Sequence, residues 1–396
     1  MLRPAGSAVP GAKPLLLDIT RLVWRQWAGR HPTGIDRVCL AYLTHFGDRA
    51  QAVVQHRHLR RIFGPVVSRQ LFQLLEERPK DFRSRLVRAL AGQLLAKGDH
   101  GRGRPYFNIG HTGLDDPMLR RWLLTADVCP IYLVHDLIPL SHPEFCRPGE
   151  RKRHDQRMRT VLETASGLIG NSQATLDALA QFGLAERLPR PPQLAAWLGS
   201  TSFDKPLRPI LPGRPTFVVL GTIEARKNHL LLLNIWLRLI TRFGASAPRL
   251  LIIGQRGWEA AEVISMLDGD ETLRGHVVEI SGCSDFELAG HLSTARALLF
   301  PSLAEGYGLP LIEALGLGVP VIASDLPVLH EIGQELPMFL SPVDEPGWEA
   351  AILDFADATS PARAVQLDRI STFRPPSWAD HFAAVERWLP TLGLDR

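Results

Sequence analysis

The chain has 396 residues, 45% of them hydrophobic and 22% charged, with a mean hydropathy of −0.01. These values exclude extended disorder, collagen and a coiled coil as the main theme, and the length predicts two hydrophobic cores and therefore two domains. The net charge of +4 conceals an asymmetry: residues 1–200 hold 29 Lys and Arg against 17 Asp and Glu, or +12, and residues 201–396 carry −8. A basic half points to an anionic partner, whether nucleic acid, a phospholipid surface or a phosphorylated substrate.

In chain order, the first half predicts strands at 14–18, 51–55, 105–109, 129–134 and 167–170. Helical patterns fall at 34–46, 151–165 and 172–182. Asp18 closes the first strand. The connection that follows, residues 18–38, is long and carries Arg21, Arg25 and Arg30 before Thr33 and Gly34 open the next helix. Residues 57–96 hold eight arginines among Leu, Phe and Val. Two readings of them stand side by side: a solvated basic helix pair, or an amphipathic surface resting on anionic lipid. The run IYLVHD (131–136) is an apolar strand that delivers His135 and Asp136 to its C-terminal end. Asn171 and Ser172 close another strand, Ser172 with the character of a helix N-cap. Between Leu188 and Pro215 stand seven prolines, a density that predicts a linker rather than an element.

The second half predicts strands at 216–220, 249–253, 277–280, 296–300, 319–323 and 337–340. Helical patterns fall at 227–243, 284–293 and 310–317, and an amphipathic helix starts at Ser377. Short strands alternating with helices imply parallel sheets covered on both faces, and open sheets of this kind bind ligands beyond the strand C-termini. The four cysteines (Cys39, Cys129, Cys146 and Cys283) form no C-x-x-C pair, so neither a zinc site nor a disulfide framework is expected. No apolar run approaches the ~18 residues that span a bilayer, and the first residues lack the apolar core of a signal peptide. A cytosolic protein is expected.

Residues 296–325 read RALLFPSLAEGYGLPLIEALGLGVPVIASD, a strand–loop–helix–strand unit with glycines at the helix mouth. Helix N-termini offer unpaired amides and partial positive charge to phosphate. Glu305 in the loop and Glu313 in the helix offer carboxylates to sugar hydroxyls, while the alternative is two helix-end charges beside turn glycines. Residues 217–229 read FVVLGTIEARKNH. Gly221 follows the strand, and Arg226 and Lys227 precede the helix, where a diphosphate needs countercharge; solvated charges are the bland alternative. Ser284 and Glu287 have the spacing of a capping box.

The segment EGYGLPLIEALGLGVPVIASD resembles the paired-glutamate signature of the family-4 (group 1) retaining glycosyltransferases. The resemblance implies the GT-B fold: two Rossmann-like domains facing across a cleft. These are 1–205, joined by a C-terminal helix at 376–396, and 206–375. It implies a metal-independent hexosyltransferase with no cofactor, moving mannose before glucose or rhamnose from a nucleotide-sugar, either a GDP-hexose such as GDP-mannose or a UDP- or dTDP-sugar. Together with the basic first half, it points to a glycan or polyprenyl-pyrophosphate-linked acceptor, as in bacterial surface polysaccharide assembly at the inner membrane face. His135, Glu305, Arg226 and Lys227 take catalytic roles. Gly34, Gly221, Gly282, Cys283, Gly306, Tyr307, Gly308, Leu309 and Glu313 take donor-binding roles, with Gly282 and Cys283 at the base. Asp18, Arg21, Arg30 and Asp136 fall to the acceptor. No metal or nucleic acid is expected, the latter because no interleaved aromatic platform is present. The alternatives are a non-catalytic nucleotide-sugar-binding protein and a GT-B epimerase or phosphorylase.

Overall fold

A computed structural model describes residues 13–30, 33–91, 99–200 and 213–394. They divide into two compact units. The first holds the described residues up to Leu137, together with Gly149–Leu198 and those from Trp378 onward; the second holds Ile138–Pro148 and those within 199–377. The boundary expected at 205/206 lies outside the described residues. Ile138–Pro148 precedes that boundary in sequence yet belongs to the second unit. There the Trp258 indole N–H donates to the Phe145 carbonyl at 3.4 Å, and the Arg147 guanidinium lies 5.1 Å over the Trp258 ring.

The sheet of the first unit contains β1 (Leu15–Asp18), β2 (Ala50–His56), β3 (Leu59–Ile62), β4 (Arg104–Asn108), β5 (Val128–Val134), β6 (Gly167–Gly170) and β7 (Gln193–Ala195). Its order is β3-β2-β1-β4-β5-β6-β7, and every pairing is parallel except the β2–β3 hairpin. Two strands depart from the sequence expectation. β3 lies at the start of the basic stretch 57–96, where Arg57 adopts the left-handed conformation (φ 52°) that turns the chain back. Helices Pro65–Glu77 and Phe82–Ala91 follow it, and residues 92–96 lie outside the described ones. β7 lies inside the proline-rich stretch. It is an edge strand, where neighbouring prolines cost no ladder bond, and the Pro192 carbonyl accepts from Leu168 N at 2.9 Å.

The sheet of the second unit contains β8 (Thr216–Leu220), β9 (Arg249–Ile253), β10 (Val277–Ile280), β11 (Leu298–Phe300), β12 (Val321–Ser324) and β13 (Met338–Leu340). It is wholly parallel, in the order β10-β9-β8-β11-β12-β13. Its inner strands are near-continuous apolar runs because helices cover both faces. Trp236, Phe217, Trp348 and Phe355 are fully buried in its core.

In both sheets the winding reverses next to the first strand, between β1 and β4 and between β8 and β11. Such a reversal parts the connecting loops and opens a crevice beyond the strand C-termini. The C-terminal helix Trp378–Trp388 packs on the first unit. His45 stacks on Phe382 with ring centres 4.0 Å apart, and Tyr42 Oη meets His381 Nε2 at 2.9 Å.

Candidate functional site

The reversal point of the second sheet gathers a charged cluster. β8 ends at Leu220, and the chain runs through Gly221 to the short turn Ala225–Lys227. β11 ends at Phe300, and the loop 301–308 leads to helix Leu309–Gly316. The Lys227 ammonium donates to Glu305 Oε1 and lies 4.9 Å over the Phe300 ring. Arg226 donates to Glu305 Oε2 at 3.1 Å and to the Ala304 carbonyl at 3.0 Å. Its other terminal nitrogen meets Glu224 Oε1 at 2.7 Å. Ser302 Oγ donates to Glu305 Oε1 at 2.7 Å. Two cations and two carboxylates thus form a neutral quartet. The Glu305 side chain is 6% exposed. Burial works against its ionisation, but Lys227 and Arg226 outweigh that and hold it down to about 2.

The backbone around the quartet is tightly specified. Asn228, in the left-handed conformation, donates to the Pro301 and Pro342 carbonyls at 3.1 and 2.9 Å, tying the loops after β11 and β13 together. Leu303 N donates to the Arg226 carbonyl at 2.7 Å. Gly308 caps the helix at φ 116°, a conformation that favours glycine. Leu309 is the first helical residue and Pro310 the second, where a missing amide hydrogen costs nothing. Tyr307 and Glu313 are both buried. The loop after β9 packs on the β8 loop so closely that a Cβ at Gly254 would lie 1.9 Å from the Gly221 carbonyl oxygen.

Gly282 and Cys283 stand apart from this cluster. They follow β10, the edge strand, and β9 separates it from β8. At ~4.8 Å per strand, that sets them roughly 10 Å to the side. Ser284 and Glu287 form the expected capping box, with Ser284 N donating to Glu287 Oε2 at 2.7 Å.

The first unit presents its own residues at the reversal point of its sheet. Asp18 is buried and accepts from Tyr106 Oη at 2.6 Å, from Gln55 Nε2 and from Thr20 N at 3.0 Å. Burial pushes its carboxyl above the ordinary range against these hydrogen bonds. Its oxygens are held by Thr20, Gln55 and Tyr106 within the first unit. Arg21 is likewise engaged. Its Nε donates to Asp36 Oδ1 at 2.6 Å, and Asp36 takes Thr33 N at 2.7 Å in a capping box at the helix that Gly34 opens. Arg30 is exposed, and residues 31–32 beside it lie outside the described ones. His135, 5% exposed, donates Nε2–H to the Ile109 carbonyl at 2.8 Å, and Asp136 follows it at the end of β5. Ser172 is an N-cap, accepting from Thr175 N at 3.0 Å. Among the described residues, no group of three or more His, Cys, Asp or Glu side chains could hold a metal ion, and no helix is long and apolar enough to cross a membrane.

Residues 214–357, which contain the charged quartet, match the family described as glycosyl transferases group 1. Over this stretch the sequence is similar to that family. Over 226 residues, 53% of the chain, the sequence is 31% identical to the serotype-specific mannosyltransferase WbdA of Escherichia coli, of which it covers 28%. Over 83 residues, 21% of the chain, it is 41% identical to the O-antigen chain mannosyltransferase RfbU of Salmonella typhimurium, of which it covers 24%. The chain thus spans about a quarter of the length of these curated relatives. In three dimensions it resembles Anabaena HepE in complex with UDP, with a TM-score of 0.64, 14% identity and coverage of 96% of this chain and 100% of that one. It also resembles the sucrose-phosphate synthase of Thermosynechococcus elongatus, with a TM-score of 0.63, 16% identity and coverage of 97% and 100%. The fold is GT-B.

Within the matched stretch, the sequence reading missed Glu224, Ser302 and Asn228. Glu224 and Asn228 lie inside the run GTIEARKNH, so the signal for them was present. Ser302 stands three residues before Glu305 in the same loop, and its hydroxyl contact is local, but a lone serine in a turn carries no signal of its own. In the first unit, Gln55, Tyr106, His111 and His154 were missed because their partners lie far away in the chain.

Proposed function

We propose that the chain is a retaining hexosyltransferase that moves mannose, in preference to glucose or rhamnose, from a nucleotide-sugar to a glycan acceptor in surface polysaccharide assembly. The observation that carries this reading is the Arg226–Lys227 pair held on Glu305 at the reversal point of the second sheet, inside the stretch that matches group 1. The mannosyltransferase relatives support the choice of sugar.

The quartet is neutral without a ligand. A donor diphosphate brings negative charge to Arg226 and Lys227 and competes with Glu224 and Glu305 for them. Glu305 keeps both cations aligned, so little reorganisation is needed as charge grows on the leaving group. In the transfer, the bond between the anomeric carbon and the diphosphate oxygen breaks, and its electron pair stays on that oxygen. The acceptor hydroxyl oxygen bonds to the anomeric carbon on the same face, and its proton passes to the departing phosphate. Glu313 accepts the ribose hydroxyls, and His135 contacts the transferred sugar. The acceptor is a lipid-linked glycan. Leu59, Val66 and Val87, exposed among the arginines of 57–91, provide a peripheral contact with anionic lipid.

The test is donor hydrolysis without acceptor, measured with GDP-mannose, UDP-glucose and dTDP-rhamnose. Release of free sugar from one of them, abolished in Lys227→Ala, supports the reading. Uptake of a nucleotide-sugar with neither hydrolysis nor transfer makes the chain a binding protein instead.

A further inference from the structure

The long connection between β1 and β2 helps to build a basic cavity within the first unit. Helix Thr20–Trp27 leaves the C-terminal end of β1, and the Trp24 indole N–H donates to the Gln55 carbonyl, near the end of β2, at 3.2 Å. The end of that helix, the start of helix Gly34–Phe46 and the end of helix Pro65–Glu77 enclose a cavity of about 110 Å³. Arg25, Arg30 and Arg78 line it, together with the buried Leu22 and Leu75. Asp36 is the one carboxylate among the described residues that line it.

Asp36 does not neutralise these three cations. Its Oδ2 meets Arg25 Nε at 3.0 Å, while its Oδ1 accepts from Arg21 Nε at 2.6 Å. Burial works against its ionisation, but the Thr33 amide and Arg21 outweigh that and hold its carboxyl below the ordinary range. Arg30 and Arg78 are exposed, and neither has an ion-pair partner among the described residues. Arg78 follows its helix at φ 47°, a position where glycine is the usual residue. Helix C-termini favour cations, which accounts for Arg30 and Arg78 one at a time. It does not account for three guanidinium groups around one cavity. Like charges gathered beside apolar side chains repel, and an anion among them turns that repulsion into attraction.

The chemistry selects the anion. Guanidinium forks match phosphate oxygens in pairs. The lining holds three cations against one carboxylate; a carboxylate ligand leaves half of that excess unmet, and a doubly charged diphosphate ester meets it. At ~10–15 Å³ for each water, the cavity has room for the oxygens of a phosphate group. It falls well short of the ~300 Å³ at which pockets for whole small molecules begin, so a complete nucleotide is too large. Under the donor reading, moreover, the donor's diphosphate has its countercharge at Arg226 and Lys227.

We propose that this cavity binds a diphosphate ester of the acceptor, with Arg30 and Arg78 as its open cations and Arg25 steadied by Asp36. The inference rests on the glycosyltransferase reading, whose acceptor it specifies: a glycan joined to its carrier through a diphosphate rather than through a single phosphodiester.

Calorimetry on the full chain uses inorganic pyrophosphate and geranyl diphosphate as probes, with GDP, UDP and dTDP in excess to occupy Arg226 and Lys227. The variant is the double substitution Arg30→Gln, Arg78→Gly. Both positions are exposed and glycine suits the backbone at 78, so its melting temperature should stay within about 4 °C of the wild type. Its affinity for both probes should fall about a hundredfold, about tenfold for each charge-assisted bond lost. Arg78→Lys alone keeps the charge without the fork and should lie between the two. Glycerophosphoglycerol, a single phosphodiester of the kind an anionic membrane surface presents, should bind the wild type at least about tenfold more weakly than pyrophosphate. Absence of pyrophosphate binding in the wild type, equal binding in the double variant, or equal affinity for glycerophosphoglycerol overturns the inference. Pyrophosphate binding that the double variant loses, in a chain that takes up none of the three nucleotides, supports the cavity and overturns the donor reading instead.

Discussion

Lys227 and Glu305 stand 78 residues apart in the chain, and the ammonium of one rests on the carboxylate of the other at the mouth between β8 and β11. Both side chains are nearly buried, 10% and 6% exposed. A buried ion pair adds little net stability compared with well-packed apolar side chains, but removing one partner strands the other. Lys227→Met should therefore cost about 3–5 kcal/mol of unfolding free energy. The double variant Lys227→Met, Glu305→Gln should cost clearly less than the sum of its singles. Urea unfolding of the four proteins measures the coupling; additive effects would show that the pair is not coupled.

Stability should fall with acid in two windows. His229 and His381 are held at about 4 by burial, against an ordinary 6.5. Between those values the unfolded chain binds protons that the folded chain refuses. Stability present in full above pH 6.5 is thus lost as the pH falls to about 4, by roughly 3 kcal/mol for each ring. Glu305 opens the second window: the stability its ionised form provides is present above about pH 4.5 and drains as the pH falls to about 2. Melting temperatures from pH 8 to pH 2 trace both. His229→Leu removes two buried ring nitrogens that have no partner and should flatten the upper window; an unchanged slope would contradict the assignment.

Gly308 should tolerate no side chain. Its φ is 116°, and a Cβ there would lie 2.9 Å from Leu329 Cδ2 and 3.0 Å from Ile332 Cδ1. Gly308→Ala is expected to cost about 2–3 kcal/mol and to shift the first turn of helix Leu309–Gly316. Guanidinium unfolding gives the first number, and nucleotide titration should show weaker binding. A variant as stable as the wild type would show that this backbone can relax.

The C-terminal helix should be essential to the first unit. Phe382 and Val385 are buried, and Trp388 and Leu392 pack so closely on β6 that a Cβ at Gly167 would lie 2.6 and 2.9 Å from them. Truncation after Ser377 uncovers Tyr42 and Phe46 as well. From Phe382 and Val385 alone, at ~1.5–3 kcal/mol per buried side chain, at least about 3 kcal/mol should be lost. Limited proteolysis should then cut within residues 13–137 before it cuts the second unit. Equal protection of the two units would refute this.

Periodicity and turn chemistry made much of the fold legible before any coordinates. The helix predicted at 34–46 forms over Gly34–Phe46, and the strands predicted at 216–220, 249–253 and 277–280 are β8, β9 and β10. Local rules failed where pairing decides. Leu59–Ile62 has no alternation of its own and becomes a strand because β2 supplies its hydrogen bonds. Gln193–Ala195 becomes one because the edge of β6 is open to it.

The same division runs through the candidate site. The residues of EGYGLPLIE and GTIEARKNH mark their own importance, since phosphate and hydroxyl recognition demand glycine, carboxylate and cation in short order. The partners they choose are another matter. The sequence alone determined two α/β units and which residues carry a charge, a hydroxyl or an imidazole. Only the tertiary structure decided that Glu305 grips Lys227 and Arg226 before any ligand arrives, that Asp18 is consumed by Tyr106 and Gln55, and that His111 stands beside His135. The physical reason is distance: hydrogen bonds and ion pairs form over about 3 Å, and no local pattern in a chain records which residues, dozens of positions apart, the sheet order will bring that close.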